Sequence, residues 1–325
     1  MEKYIKIFLK SFKRLVALSN SLIINFFSRF NQNFFKKTST NVSIFNKILI
    51  TFITTLFCYL FFLTLPNLYD KSWVQKTLKS KLTEEFKVNF SLSSEISYAI
   101  LPSPHFIIQN VTIFNDLSKN QKIADIKKLK IFISQKKFLN KNNIFIKDIL
   151  IEEANFIFNK DNFNYLRDFI NYKFNEKKIN IKKSNIFFQD ESKETLLIVK
   201  LSSANLFYEG KKLLNQIMIK GKIFNVPFSL NLNKNLISKS LKSDFKAKKL
   251  KLKFKDTLNT IDNTISGYTE LSILNNNLFY RYNLENNKII FKSQNSTLPN
   301  NLIEYQAEIN LKPFDFFLNI DLKKM

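Results

Sequence analysis

The sequence is poor in the residues on which most enzyme active sites depend. Its 325 residues include one cysteine, one histidine and three glycines. Because Cys58, within an apolar run, is the one cysteine, no intrachain disulfide can form. A lone histidine cannot provide a His pair for zinc. Gly210, Gly221 and Gly267 are far apart, which excludes a P-loop, a dinucleotide-binding turn and a G-x-S-x-G elbow. We therefore expect a protein that is not an enzyme and that needs no cofactor and no metal.

The residues that could still serve acid–base chemistry are poorly placed. His105 follows Pro104 with no acidic residue close by in the sequence, which favours an ordinary surface or turn histidine over a general base. Glu152 and Glu153 are adjacent, and neighbouring residues of a strand point to opposite faces. They are therefore not expected to act as a carboxylate pair.

Arginine is scarce although the chain is strongly basic. The formal net charge is +25, from 51 Lys and Arg residues against 26 Asp and Glu residues, yet only four of the basic residues are Arg. Lys is the weaker choice for bidentate contacts to phosphate or guanine, so we expect no nucleic-acid partner. The Lys run at residues 248–255 is most simply the solvated face of a strand, with affinity for anionic lipid headgroups as the weaker functional interpretation.

One long apolar run stands out, ILITFITTLFCYLFFLTL at residues 48–65. It carries no charge, and as a helix it would be about 27 Å long, close to the hydrocarbon thickness of a bilayer. A buried core helix is the alternative, and a cleaved signal peptide fits worse because PNLYDKSW follows the run in place of a small-x-small cleavage site. The run predicts a transmembrane anchor at residues 48–66.

Basic residues precede this run and predict its orientation. Residues 1–47 carry nine Lys or Arg residues against one acid, Glu2, which places the N-terminus in the cytoplasm. Apolar residues close to helical spacing in that segment predict an amphipathic helix in the headgroup layer. The chain is thus expected to have three parts: a basic cytoplasmic segment at 1–47, the anchor at 48–66 and a body outside the cytoplasm at 67–325.

Two short helices are predicted after the anchor. The first has an apolar stripe that recurs every four residues at Val74, Leu78, Leu82 and Phe86. The second runs from about residue 162 to residue 172, with Asp161 as N-cap. Its inward-facing residues are predicted to be Leu166, Phe169 and Ile170.

The rest of the body alternates apolar and polar residues with period two, which is typical of strands with one wet and one apolar face. The clearest runs are 228–233, 250–255, 305–312 and 316–321, and about a dozen strands are predicted in all. Two short helices cannot cover so many strands. A sandwich, a closed barrel and a long curved sheet that holds something other than protein are all possible, and the residues alone favour the sandwich.

Several landmarks follow the anchor in a fixed order: Pro102 and Pro104 before a long strand, Phe138 with Leu139 after the next, and Asn164 with Tyr165 opening a helix. This order, over residues 48–172, resembles the N-terminal region of the AsmA family of bacterial envelope proteins. The chain departs from the family at two places. The family's helix usually begins Asn-Trp, and the glycine common before its first strand is here Lys87 or Asn89.

The resemblance implies a mainly β fold, in which an N-terminal transmembrane helix is followed by a long curved antiparallel β-sheet groove with a few short helices. It reverses the preference for the sandwich. It also implies a single-pass protein of the bacterial inner membrane, with a periplasmic body related to bridge-like lipid-transfer proteins. The expected role is in outer-membrane biogenesis, by binding or moving phospholipid along the groove.

The expected partners are membrane phospholipids and other envelope proteins that extend the edge of the sheet. A non-enzymatic assembly or scaffold factor that regulates insertion of proteins into the membrane is the alternative function. Pro102 and Pro104 are predicted to form a structural turn, an extended corner that prevents the preceding segment from continuing into a regular ladder. The floor of the groove is predicted to contain Phe228, Leu230, Leu232, Leu250, Leu252, Phe254, Tyr305 and Ile309.

Overall fold

The structure is a computed structural model. It describes residues 39–86, 88–93, 95–115, 121–138, 144–159, 165, 168–174, 177–261, 264–274, 276–285, 288–293, 296–298, 301–311 and 314–324. The amphipathic helix predicted from Ile5 to Phe30 lies outside the described residues. Asp161 and Leu166, assigned above to the second short helix, also lie outside them.

The chain divides into two compact units, Met1–Leu68 and Tyr69–Met325. Helix α1 spans Ser39–Thr64 and is followed by a short 3-10 helix at Leu65–Leu68. The stretch Ile48–Leu68 has a mean hydropathy of 2.3 and is long and apolar enough to cross a membrane. The predicted apolar span therefore coincides with a helix, which begins before the uncharged run does.

The second unit opens with helix α2, Lys71–Phe86. Asp70 caps it, because the Trp73 backbone N–H donates to Asp70 Oδ1 at 2.7 Å. The buried residues of α2 are the predicted stripe, Val74, Leu78, Leu82 and Phe86. A short helix at residues 168–171 is the described part of the second predicted helix.

The described residues contain seventeen strands, which form one sheet. Their bounds are β1 Asn89–Ser91, β2 Ile96–Ala99, β3 His105–Phe114, β4 Lys122–Ile133, β5 Ile146–Phe158, β6 Ile179–Gln189, β7 Thr195–Glu209, β8 Leu214–Ile223, β9 Val226–Asn235, β10 Leu241–Ala247, β11 Leu252–Ile261, β12 Thr264–Ile273, β13 Asn276–Glu285, β14 Lys288–Ser293, β15 Ser296–Leu298, β16 Asn301–Leu311 and β17 Phe314–Lys324.

The strands follow one another along a single ladder. β1 and β2 both pair with β3, after which each strand pairs with the next up to β13. β14 and β15 lie end to end between β13 and β16, and β17 pairs with β16. Among the described strands every pairing is antiparallel except that of β5 with β6, which is parallel. At about 4.8 Å a strand the ladder extends roughly 70 Å.

The predicted fold class is confirmed: the body is one long curved sheet, mainly antiparallel, with few helices. The sandwich that the residues alone favoured is wrong. The predicted strand count is also too low, since β1, β2, β6, β10 and β15 are not among the dozen predicted strands.

The curvature has a local cause in strands β3 to β7. Each of these strands carries one extra residue, and the extra residues lie next to one another across the sheet. Buried residues that would be two positions apart in a regular strand are therefore three positions apart, as with Ile108 and Val111 on β3. Three of the extra residues have positive φ, namely Asn110, Glu153 and Lys183. An inserted residue bends a strand and increases its twist, so a line of them bends the sheet along one axis.

Pro102 and Pro104 lie in a five-residue loop, 100–104, that joins β2 to β3, and the Leu101–Pro102 peptide bond is cis. Ala99 pairs with His105 directly across this loop. The prolines therefore lie in a turn, as predicted, but they do not prevent the segment before them from joining the ladder, because β2 pairs with β3. Proline has no backbone N–H to donate. Both prolines lie in the loop, where no backbone N–H is needed for a hydrogen bond between strands.

Candidate functional site: the uncovered apolar face of the sheet

One row of apolar residues crosses twelve strands of the sheet. Its members stand directly opposite one another on successive strands, and opposite residues share a face. The row defines what we call the inner face. It consists of Ile96, Ile108, Leu129, Ile151, Ile181, Ala204, Ile219, Leu230, Phe245, Phe254, Leu271 and Leu278.

Helices cover this face over β1 to β8, which we call the covered half. Ile108 is 0% exposed and Leu129 is 1% exposed. Contacts place α2 beside β1: the Phe86 ring meets Phe90 of β1 at 5.6 Å, and Gln75 Nε2 donates to the Leu92 carbonyl, just after β1, at 3.2 Å. The Tyr165 hydroxyl donates to the Phe86 carbonyl at 3.1 Å, which joins the second helical segment to α2.

Aromatic rings continue the cover toward β8. Phe169 stacks on Phe86, with ring centres 6.5 Å apart, and meets Phe174 at 4.9 Å. Phe174, Tyr208 and Ile217 form a buried cluster. Asn215 is buried beside it, and its amide group accepts from the Phe174 backbone N–H at 2.9 Å and donates to the Ile170 carbonyl at 3.0 Å. These hydrogen bonds connect the short helix and the residues after it to β8.

The cover ends at β9. Leu230, Phe245, Phe254, Leu271 and Leu278 continue the same row, and each is partly exposed. Among the residues that the structure describes between 226 and 324 there is no α-helix, only a 3-10 helix at Lys248–Leu250. We call the inner face of β9 to β17 the open face. It is the candidate functional site, because large apolar surfaces left exposed on proteins mark binding sites.

The structure brings most of the predicted floor residues together on the open face. Phe228, Leu230 and Leu232 lie on β9, and Leu252 with Phe254 on β11. The register carries the same face to Tyr305 and Ile309 on β16. Leu232 also packs against the buried cluster of Phe174, Tyr208 and Ile217, so it marks the border between the covered half and the open face.

Leu250 is the exception. It belongs to the 3-10 helix that precedes β11, its side chain is 50% exposed, and Lys251 after it is left-handed. The alternation of Leu250, Leu252 and Phe254 therefore starts in a turn, and the strand begins only at Leu252. Alternating apolar and polar residues do not by themselves distinguish a strand from a turn, because the residues of a turn can show the same alternation.

Aromatic side chains line much of the open face. Phe228 stacks on Phe245 with ring centres 5.5 Å apart, and farther along Tyr280 meets Phe291 at 5.5 Å and Tyr305 at 6.4 Å. Tyr282 lies across Gly267, where a Cβ atom would overlap its ring. The face needs a glycine at that position so that the tyrosine ring can lie flat against the sheet.

A small polar cluster interrupts the open face. Asp256 stands opposite Thr269 and accepts bonds from the Thr269 hydroxyl at 2.7 Å and from the Tyr282 hydroxyl at 3.1 Å. Burial, with Asp256 next to it, raises the pKa of Tyr282, so the tyrosine stays a donor at neutral pH. Sequence reasoning missed this cluster, because its three members come from separate strands and meet only through the register.

The outer face of the same strands is polar and charged. Lys255 pairs with Glu270 at 2.9 Å, and Lys246 pairs with Asp244 at 2.9 Å. Lys253 and Lys255 alternate with the inner-facing Leu252 and Phe254, which confirms the prediction that this part of the Lys run is the solvated face of a strand. The two faces of β9 to β13 thus differ sharply in polarity.

The residues weighed for acid–base chemistry have structural surroundings. His105 is 3% exposed, not on the surface as expected; its Nδ1 donates to the Ser103 carbonyl at 2.7 Å and its ring lies 4.9 Å from Phe132. Glu152 and Glu153 pair with different lysines, Lys130 and Lys127, each at 2.8 Å. Within the described ranges no group of three or more His, Cys, Asp or Glu residues is placed to hold a metal ion.

Neither the comparison with protein-family models nor the search of curated proteins found a match for this chain. The resemblance to the AsmA family therefore remains a prediction from the residues between 48 and 172.

Proposed function

We propose that the protein is a membrane-anchored, non-enzymatic lipid-binding protein that holds phospholipid acyl chains on the open face. The observation that carries this proposal is the apolar row, which stays apolar across twelve strands. Its residues on β2 to β5 and on β7 are buried and those on β6 and β8 are partly exposed, whereas from β9 to β13 every one is partly exposed. Where the row is no longer covered by helices it is still apolar, so another apolar partner is needed to exclude water from it.

An acyl chain suits this surface because it is long, uniform and without polar groups. Each CH₂ that leaves water contributes about 0.8 kcal/mol. Along the ladder the row offers an equivalent apolar residue about every 4.8 Å, so a tail can shift from one strand to the next with little change in free energy. The headgroup stays in solvent at the open side, and no catalytic residue is required.

The membrane helix candidate supports the same function. Ile48–Leu68 can span a bilayer, and it precedes the sheet in the same chain, so an anchored sheet would meet its ligand at the membrane that holds it. Together with the AsmA resemblance this favours the bacterial inner membrane, with the sheet in the periplasm and a role in outer-membrane biogenesis.

The test uses the full chain, purified in mild detergent and weighed by native mass spectrometry. We expect bound phospholipid with the unchanged protein and its loss in Leu230→Glu, because the new carboxylate would have to be desolvated by each tail. The matched control is Ser229→Glu, which adds the same charge on the outer face between Lys220 and Lys246. Normal lipid binding by a folded Leu230→Glu protein would contradict the proposal.

A second candidate function is the docking of other envelope proteins, as an assembly or scaffold factor that regulates insertion of proteins into the membrane. The observation that favours it is β17, which among the described residues pairs on one side only. Repeated absence of phospholipid from the native spectrum of the unchanged protein would favour this second function over the first.

A further inference from the structure

The last described strand leaves a long edge of the sheet without a neighbour. β17 pairs with β16 along all of Phe314–Lys324, and no other described strand pairs with it. Its inner-face residues Phe316, Leu318 and Ile320 are about half exposed, and Phe317 on the outer face is 65% exposed. An edge of this length without proline or bulge presents backbone N–H and C=O groups that can pair with another strand.

The sequence of β17, FDFFLNIDLKK, is complementary to itself in the antiparallel direction. Because opposite residues of an antiparallel pair share a face, two copies related by a two-fold axis must have that axis at a residue. An axis at Asn319, the middle residue, pairs the whole strand. It sets Asp315 of each copy opposite Lys323 of the other, Leu318 opposite Ile320, and Phe317 opposite Asp321.

Neighbouring registers are worse. An axis at Leu318 would set Asp315 opposite Asp321, and an axis at Asp321 would set that residue opposite its own copy; like charges directly opposite are destabilising. An axis at Ile320 shortens the pairing and leaves Asp315 without a lysine opposite it. Charge complementarity and full overlap therefore select the same register, the one centred on Asn319.

We propose that β17 pairs antiparallel with β17 of a second copy of this chain, about a two-fold axis through Asn319. Such an axis is perpendicular to the sheet, so the inner faces of both copies lie on the same side. Two ladders joined in this way extend roughly 140 Å. The pairing rests on β17 alone, whereas its use as one continuous path for acyl chains rests on the proposed function.

Disulfide cross-linking tests the register. Cys58 is the one native cysteine, so Cys58→Ser gives a background in which Asn319→Cys, Phe317→Cys and Asn283→Cys can be compared in isolated membranes with an added oxidant. Residues at the two-fold axis have Cα atoms about 5 Å apart, within disulfide range. Position 317 lies about 14 Å from its copy, and Asn283 lies on an interior strand.

We expect a covalent dimer with Asn319→Cys and monomer with the other two variants. Absence of dimer with Asn319→Cys, or equal dimer with Phe317→Cys, would overturn the proposal.

Charge exchange tests the same register without cysteine. Asp315→Lys or Lys323→Asp alone would place like charges opposite each other twice in each dimer, and we expect the dimer dissociation constant to rise about tenfold. The double variant restores opposite charges and should return to the original value. A double variant as weak as the single ones would contradict the pairing.

Native mass spectrometry of the single variants separates this inference from the proposed function. Phospholipid bound to a protein that has lost its dimer leaves the lipid function intact and confirms that β17 controls association. A dimer that cross-links at position 319 but carries no phospholipid supports the pairing and contradicts the lipid function.

Discussion

The covered half and the open face belong to one apolar surface of the sheet. Helices pack on the covered half, and no described α-helix packs on the open face. The same row of apolar residues runs through both. In the covered half α2 and the aromatic rings around Phe169 and Phe174 pack over the row, whose residues are buried except for the partly exposed Ile181 and Ile219. From β9 onward the row is as apolar as in the covered half, but each of its residues is partly exposed. The apolar pattern of a strand therefore does not reveal whether protein or ligand will cover it.

The largest contrast is expected from the same substitution at two places in the row. Leu129→Glu buries an unpaired charge at a residue that is 1% exposed, and we expect destabilisation of at least about 4 kcal/mol, or loss of soluble protein. Leu230→Glu on the open face can reach water, so its cost is expected to be about 1 kcal/mol. Chemical denaturation of both variants checks the difference; equal losses would remove the distinction between the two regions.

Truncation of the cover is expected to have the next largest effect. Leu82→Ala on α2, where the side chain is 0% exposed, should reduce the free energy of unfolding by about 3 kcal/mol, because it leaves a cavity. Leu271→Ala on the open face removes a partly exposed side chain and should cost about 1 kcal/mol. Similar costs in thermal or chemical unfolding would show that the open face is as tightly packed as the covered half.

Gly267→Ala probes the packing of the open face itself. The new Cβ would overlap the Tyr282 ring, and we expect a loss of about 2 kcal/mol. In a Tyr282→Ala background the same change should cost much less, so a double-mutant cycle isolates the contact. Equal costs in both backgrounds would show that Tyr282 does not lie on Gly267.

The smallest expected effect is a pH dependence in the covered half. Burial raises the pKa of Tyr165, so the folded chain keeps its proton at a pH where the unfolded chain ionises. This contribution is complete below about pH 10 and is lost as the pH rises above that value, at about 1.4 kcal/mol per pH unit. Tyr165→Phe should flatten the fall of stability between pH 10 and pH 11 by that amount; an unchanged slope would contradict the burial of this hydroxyl.

Local patterns predicted those parts of the fold that a short segment determines by itself. The stripe on α2 and the alternation on β9 and β16 needed only neighbouring residues. β6 was missed because the extra residue at Lys183 breaks its alternation, and β10, LKSDFKA, carries too few apolar residues to show one. The Asp256 cluster and the row through twelve strands depend on the register between distant segments, which no single stretch of sequence contains.

The central claim is that lipid tails occupy the open face and not the outer face. A photo-cross-linking amino acid placed at Phe254, on the inner face, or at the neighbouring Lys253, on the outer face, tests it in the full chain within native membranes. After illumination and purification, mass spectrometry should find phospholipid attached at position 254 and none at position 253. No adduct at 254, or equal adducts at both positions, would contradict the account.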